Sequence, residues 1–251
     1  MELDLNFVRS NFPAFKQSEL RDFLFFENAG GSYVCNQVID RLLRFYTKRK
    51  MQPYGAAEPS KMGGEEMDEA RIRLAAMTGV EEDEVTFGPS TTQNTYVLAQ
   101  AFGRMLKPGD SIIVTNQDHE ANSGPWRNLS YFGINIKEWL IDPEEGHLNI
   151  EDLKNLLDDS VKLVCFPHCS NVIGEINPVK KIVEEVQKFG AYVCVDGVSF
   201  APHGLPNMKK LKADIYLFSS YKTYGPHQGV MLLKKRLGVK LPNQGHFFNN
   251  Q

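Results

Sequence analysis

Seven short apolar runs are the feature that most limits how this chain can fold: VTF at 85–87, SIIVT at 111–115, INIKEWL at 134–140, VKLVCF at 161–166, AYVCVD at 191–196, DIYLFS at 214–219 and GVMLL at 229–233. Each has the length and composition of a buried strand. Helix-like stretches lie between most of them, among them TTQNTYVLAQAFGRML, IEDLKNLL and PVKKIVEEVQKFG. The last opens on Pro178 and stops at Gly190, the start and stop signals of a helix. Strand and helix in alternation predict an α/β fold with a mainly parallel seven-stranded sheet and helices on both faces. Ligands of such sheets sit beyond the carboxyl ends of the strands, so chemistry is expected just after each run.

Residues 1–60 read differently, with short helical stretches and the loop YGAAEPSKMGG. They are expected to form an arm and an active-site wall, and residues 61–251 a large ligand-binding domain. With 251 residues, of which 42% are hydrophobic, the chain can build a substantial core. A net charge of -3 without a long basic run argues against nucleic acid as a partner. No window has the uninterrupted apolar length of a membrane span. The amino terminus, MELDLNFVRSNFPAF, is acidic where a secretion signal is basic. A cytoplasmic protein is therefore expected, with Cys35, Cys165, Cys169 and Cys194 reduced. The run CFPHC lacks a second ligand pair at finger-like spacing, so no metal site is expected.

Five of the runs are followed by polar residues with chemical potential. Ser90, Thr91 and Thr92 in FGPSTTQN stand where a strand gives way to a helix. Free N–H groups and hydroxyls there suit an anion, although an ordinary helix cap has the same residues. His119 in TNQDHEANSGPW could stack on a flat cofactor or move protons, or simply cap a loop. Asn171 in PHCSNVIGE could hydrogen-bond a ring oxygen or serve a turn. Asp196 ends an apolar strand, where an unpaired carboxylate is costly, so it calls for a cationic partner such as a protonated pyridine nitrogen. Lys222, in FSSYKTYGPHQG, follows a buried strand; its amine is either lowered in pKa, as a Schiff-base lysine requires, or snorkels to solvent. Each signal is modest, but their order along the strand ends is a demanding pattern.

With FFENAGG, FGPSTTQN, DHEANSGPW, HCSNVIGE, VDGVSFAPHG and FSSYKTYGPHQGVM, the chain resembles the class V aminotransferase family of fold-type I pyridoxal phosphate enzymes, in its cysteine desulfurase-like branch. The resemblance implies pyridoxal 5'-phosphate as cofactor, a small amino acid as substrate and a homodimer. It implies that Lys222 forms the Schiff base and moves the α-proton, that Asp196 pairs with the pyridinium nitrogen, and that His119 stacks on the ring. Asn171 would lie near the 3-oxygen; Thr92, Thr91 and Ser219 would hold the phosphate, with Ser90 opening the same turn; Ala29 and Gly30 would line the substrate side.

Two positions depart from that pattern. Ser199 stands where the desulfurases usually have Gln, and Tyr221 where they have His, although a tyrosine hydroxyl could still reach the phosphate. His203 reads as structural, and His227 has no evident role. The family's further C-terminal domain, with its carboxylate-binding arginine, is expected to be missing, so a catalytically incompetent protein of the same fold is the alternative. The segment NQGHFFNN is a candidate for contact with a second subunit.

Overall fold

The computed structural model describes residues 3–20 and 22–245. The segment NQGHFFNN passes out of the described residues after Gly245.

All seven apolar runs are strands: β1 (Val85–Gly88), β2 (Ser111–Thr115), β3 (Asn135–Trp139), β4 (Val161–Pro167), β5 (Tyr192–Asp196), β6 (Ile215–Ser219) and β7 (Gly229–Leu233). They form one sheet in the order β3-β2-β4-β5-β6-β7-β1. Neighbours from β3 to β6 are parallel, and β7 runs antiparallel to both β6 and β1. Around the sheet lie α1 (Leu5–Ser10), α2 (Asn36–Lys48), α3 (Glu58–Thr78), α4 (Thr91–Met105), α5 (Gly124–Arg127), α6 (Ile150–Leu156), α7 (Val179–Gln187), α8 (Met208–Leu211) and α9 (Lys235–Gly238). None is long and apolar enough to cross a membrane among the described residues.

The central strands are unbroken apolar runs because both faces are covered. Successive residues alternate between two cores. Ile113, Val164, Phe166, Val193, Val195, Tyr216 and Phe218 face one side, with Leu153 of α6 and Ile182, Val183 and Val186 of α7. Ile112, Val114, Leu163, Cys165, Cys194, Ile215 and Leu217 face the other, with Leu98, Ala99 and Phe102 of α4. Period-two alternation is thus present, but it separates apolar from apolar.

The expected division at residue 60 falls inside α3, a continuous helix that starts at Glu58. Before it, α2 has no buried residue and is tied to α3 through Glu66, which pairs with Arg41, Arg44 and Arg49.

Close backbone approach fixes β7 relative to the start of α4. A Cβ on Gly229, the first residue of β7, would lie 2.4 Å from the carbonyl carbon of Ser90 and 2.7 Å from the amide nitrogen of Thr91. No side chain can yield to make room. Gly229→Ala should therefore destabilise the fold by about 1–3 kcal/mol, the usual range for overpacking. Urea denaturation measures this, and an unchanged midpoint would mean that the approach is not close.

Candidate active site

Strands β1, β2, β4, β5 and β6 all release the chain at the same edge of the sheet, so their following residues converge. A cavity of about 240 Å³ lies there, lined by Ser90, Thr91 and Thr92 after β1, His119 after β2, Asn171 after β4, Asp196 and Ser199 at the end of β5, and Ser219, Tyr221 and Lys222 after β6, with Gly30 from the arm. Ala29 faces a neighbouring cavity of about 470 Å³ instead. The two cavities share Cys169, Asn171, Ser199 and Lys222, so the lysine stands at their junction. His203, expected to be structural, lines the second cavity.

Lys222 closes a single 3₁₀ turn, Ser220–Lys222, and is 8% exposed. Burial lowers its amine pKa, and the nearby Asp196 carboxylate opposes that shift. Asp196 is 4% exposed. Burial raises its carboxyl pKa, countered by the Val198 N–H at 2.8 Å and by the charges of His119 and Lys222. Among the described residues neither group has an ion-pair partner within 4.0 Å. Each is held towards neutrality by desolvation.

Asp118 is a member of the site that the motif reading passed over. It precedes His119, lines the same cavity, and accepts the His119 N–H at 2.8 Å and the Asn122 side-chain amide at 2.6 Å. Burial, then the charge of Asp196, pushes its carboxyl well above the usual range. The only signal was an acid directly before the histidine. His119 itself is fixed by its neighbour: the Ala121 N–H donates to Nδ1 at 3.0 Å.

At the opposite end, α4 starts on Ser90, whose hydroxyl accepts the Gln93 N–H at 3.1 Å. Ser90 thus acts as the helix cap, and the start of a 15-residue helix, with Thr91 and Thr92, lines the cavity. Thr91 Oγ1 and Ser219 Oγ lie 2.7 Å apart, joining the two hydroxyl-bearing segments.

Two sets of contacts hold the key residues in place from behind. Ser32, in the arm, clasps the lysine loop: its N–H and hydroxyl both donate to the Tyr221 carbonyl, at 3.0 and 2.9 Å, and its hydroxyl accepts the Tyr224 N–H at 3.0 Å. Tyr224 has φ 66°, a left-handed conformation that a bulky residue adopts only under outside support. The second set backs Asp196. The His168 N–H donates to the Asp196 carbonyl at 2.7 Å, and the His168 ring stacks on Phe200 at 3.6 Å. His168 Nδ1 is 2.8 Å from the hydroxyl of buried Tyr216. Tyr216 also occupies the space beside Gly197, where a Cβ would fall 2.0 Å from its ring. Among the described residues no group of three or more His, Cys, Asp or Glu could hold a metal ion.

Both supports are testable. Ser32→Ala removes the acceptor of the Tyr224 N–H and should cost about 1–3 kcal/mol in urea denaturation, with Ser32→Thr restoring most of it; equal stability of the alanine variant would refute the clasp. His168 gives a pH signature. Burial lowers its pKa from 6.5 to about 4. As pH falls through that window the unfolded chain takes up a proton that the folded chain refuses, so stability drops and then levels off. The full effect is on the order of 3 kcal/mol. His168→Gln should lose less stability than the parent between pH 7 and pH 4, and parallel pH profiles would contradict a buried neutral ring.

Comparison with known proteins places these features. Residues 24–246 match the Aminotransferase class-V family. An "Aminotransferase-like protein FGM3" of Gibberella zeae is 39% identical over 251 residues, covering 96% of this chain and 60% of the relative. A "Cysteine desulfurase" of Serratia proteamaculans is 33% identical, covering 96% and 61%. The apo cysteine desulfurase of Thermococcus onnurineus NA1 superposes with a TM-score of 0.88 at 26% identity, over 97% of this chain and 60% of that one. The chain therefore spans about 60% of the length of the curated relatives it matches. With that match running across the sheet and every strand end that forms the cavity, the chain belongs to the class V aminotransferase family, whose enzymes work with pyridoxal phosphate.

Proposed function

We propose that this chain binds pyridoxal 5'-phosphate and belongs to an enzyme acting on a small amino acid, cysteine desulfurase-like or aminotransferase-like, with Lys222 as its central residue. The observation that carries this reading is the pair of buried groups, Lys222 and Asp196, that face one cavity with no ion-pair partner among the described residues. The donor set fits the cofactor end by end. Asp196, held towards neutrality by burial, suits a protonated pyridine nitrogen, which would restore its charge. The hydroxyls of Thr91, Thr92 and Ser219 and the start of α4 suit a phosphate.

When bound, this cofactor supplies an electron sink for a substrate's α-carbon. The chain's residues do the rest. Lys222, with its amine pKa lowered by burial, is a nucleophile and then a base that takes the proton from the α-carbon. His119 covers one face of the cavity, its orientation fixed through Nδ1. Asn171 and Ser199, which line the cavity, would offer an amide and a hydroxyl to the 3-oxygen, the shorter Ser199 leaving more of that contact to Asn171. Tyr221 offers a hydroxyl near the phosphate. The second cavity, with Ala29, is the side from which substrate reaches Lys222, and Gly30 borders the first.

A homodimer is part of the same reading. Exposed apolar residues on α2 and the arm support it, among them Leu43, Tyr46 and Phe26. Four free cysteines fit a reducing, cytoplasmic setting.

The test is exchange of the α-proton. The protein loaded with pyridoxal phosphate is incubated in D₂O with cysteine, alanine and other small amino acids, and the α-proton resonance is followed by NMR. At least one amino acid should exchange, and Lys222→Ala should slow exchange by about 10²–10⁴-fold, the usual contribution of a general base. Exchange that is untouched in Lys222→Ala would refute the role of Lys222. No exchange by a protein that holds the cofactor would favour a non-catalytic protein of this fold.

A further inference from the structure

His227 belongs to the wall of the first cavity, yet the reading above gives it no task. Its ring stacks on that of Tyr221, with centroids 4.8 Å apart and planes 20° apart. On its other side it borders a surface groove together with Gly88 and Pro89, the turn that leads into Ser90. The chain just beyond it, at Gly229, runs against the backbone of Ser90 and Thr91, as the 2.4 Å and 2.7 Å approaches show. His227 therefore stands at the α4 end of the cavity, beside the Ser90–Thr92 turn.

The charges around the cavity make this position matter. Its lining contains two acids, Asp118 and Asp196, and three groups able to carry positive charge, Lys222, His119 and His227. No arginine and no second lysine is among them. In the reading above Lys222 would be taken up by the cofactor itself. His119 lies next to Asp118, and its Nδ1 is already engaged with Ala121. The cradle residues Ser90, Thr91, Thr92, Ser219 and Tyr221 are all neutral hydroxyl carriers. A phosphate monoester carries roughly 1.5 to 2 negative charges at neutral pH. At that end of the cavity, among the described residues, His227 is the one side chain that can answer with a cation.

We propose that His227 donates a hydrogen bond to the phosphate group of the bound cofactor, with the stacked Tyr221 ring holding the imidazole in the orientation this needs. Tyr221 and His227 then act as a unit, the ring of one setting the plane of the other. The inference rests on the cofactor reading above.

Affinity for two cofactor forms separates this role from simple packing. Pyridoxal phosphate and pyridoxal, which lacks the phosphate, are titrated into the wild type, His227→Ala and His227→Gln, and binding is followed by absorbance. His227→Ala should weaken pyridoxal phosphate by about ten-fold or more, the loss expected for a hydrogen bond to a charged group. It should leave pyridoxal unchanged. His227→Gln, which keeps a neutral donor, should fall between the wild type and His227→Ala. The ³¹P resonance of the bound cofactor should also move in His227→Ala, a readout independent of turnover. Equal weakening of both forms would reduce His227 to packing on Tyr221 and overturn the proposal, as would unchanged affinity for both. A wild type that binds neither form would overturn the cofactor reading, and this inference with it.

Discussion

A lysine and an aspartate buried at the ends of adjacent strands, with no ion-pair partner among the described residues, set the demand that the rest of the structure meets. Lys222 and Asp196 lie at the carboxyl ends of β6 and β5, and burial pushes the amine down and the carboxyl up. Removing an uncompensated charge from water is expensive, so groups in such positions lose charge unless something supplies it. A cationic ring bound there would let Asp196 ionise, and burial would keep the amine pKa of Lys222 below its ordinary value. Burial of both groups thus prepares the site for such a ligand.

Holding two such groups steady requires rigid surroundings, and these come from distant parts of the sequence. Asp196 is anchored through its backbone by His168 and through the packing of Tyr216 beside Gly197. Lys222 rides on a loop clasped by Ser32 from the arm and tightened by Ser220, whose hydroxyl donates to the Pro226 and Gln228 carbonyls. Strand ends thus give the site its precision, and loop-to-loop hydrogen bonds keep the loops from giving it back. The left-handed Tyr224 lies at the centre of the clasp, where local strain is balanced by long-range contacts.

What could be read from the sequence follows from which contacts are local. Strands buried on both faces stand out as unbroken apolar runs, so all seven were visible, and the residues after them were natural places to look for chemistry. The antiparallel course of β7 left no mark in composition, because a short loop after Lys222 permits it without changing the apolar run. The start of α3 at Glu58 was hidden by the glycines and proline of YGAAEPSKMGG, which read as a loop although Pro59 sits in the first helical turn, where it is tolerated. Ser32, His168 and Tyr216 were not legible as supports, since their partners lie far away in sequence and nothing nearby signals the pairing. Asp118 carries no signal of its own beside the more conspicuous His119. Ala29 was placed on the substrate side from its motif, and the geometry sets it in the second cavity, with Lys222 as the link between that cavity and the first.

The central claim is that Lys222 is the covalent anchor of the cofactor. Reduction with borohydride after incubation with pyridoxal phosphate, followed by proteolysis and mass spectrometry, tests it directly. The account predicts a single phosphopyridoxyl adduct, on the peptide that contains Lys222, which disappears in Lys222→Ala. An adduct at another lysine, or no adduct although the protein retains the cofactor, would contradict it.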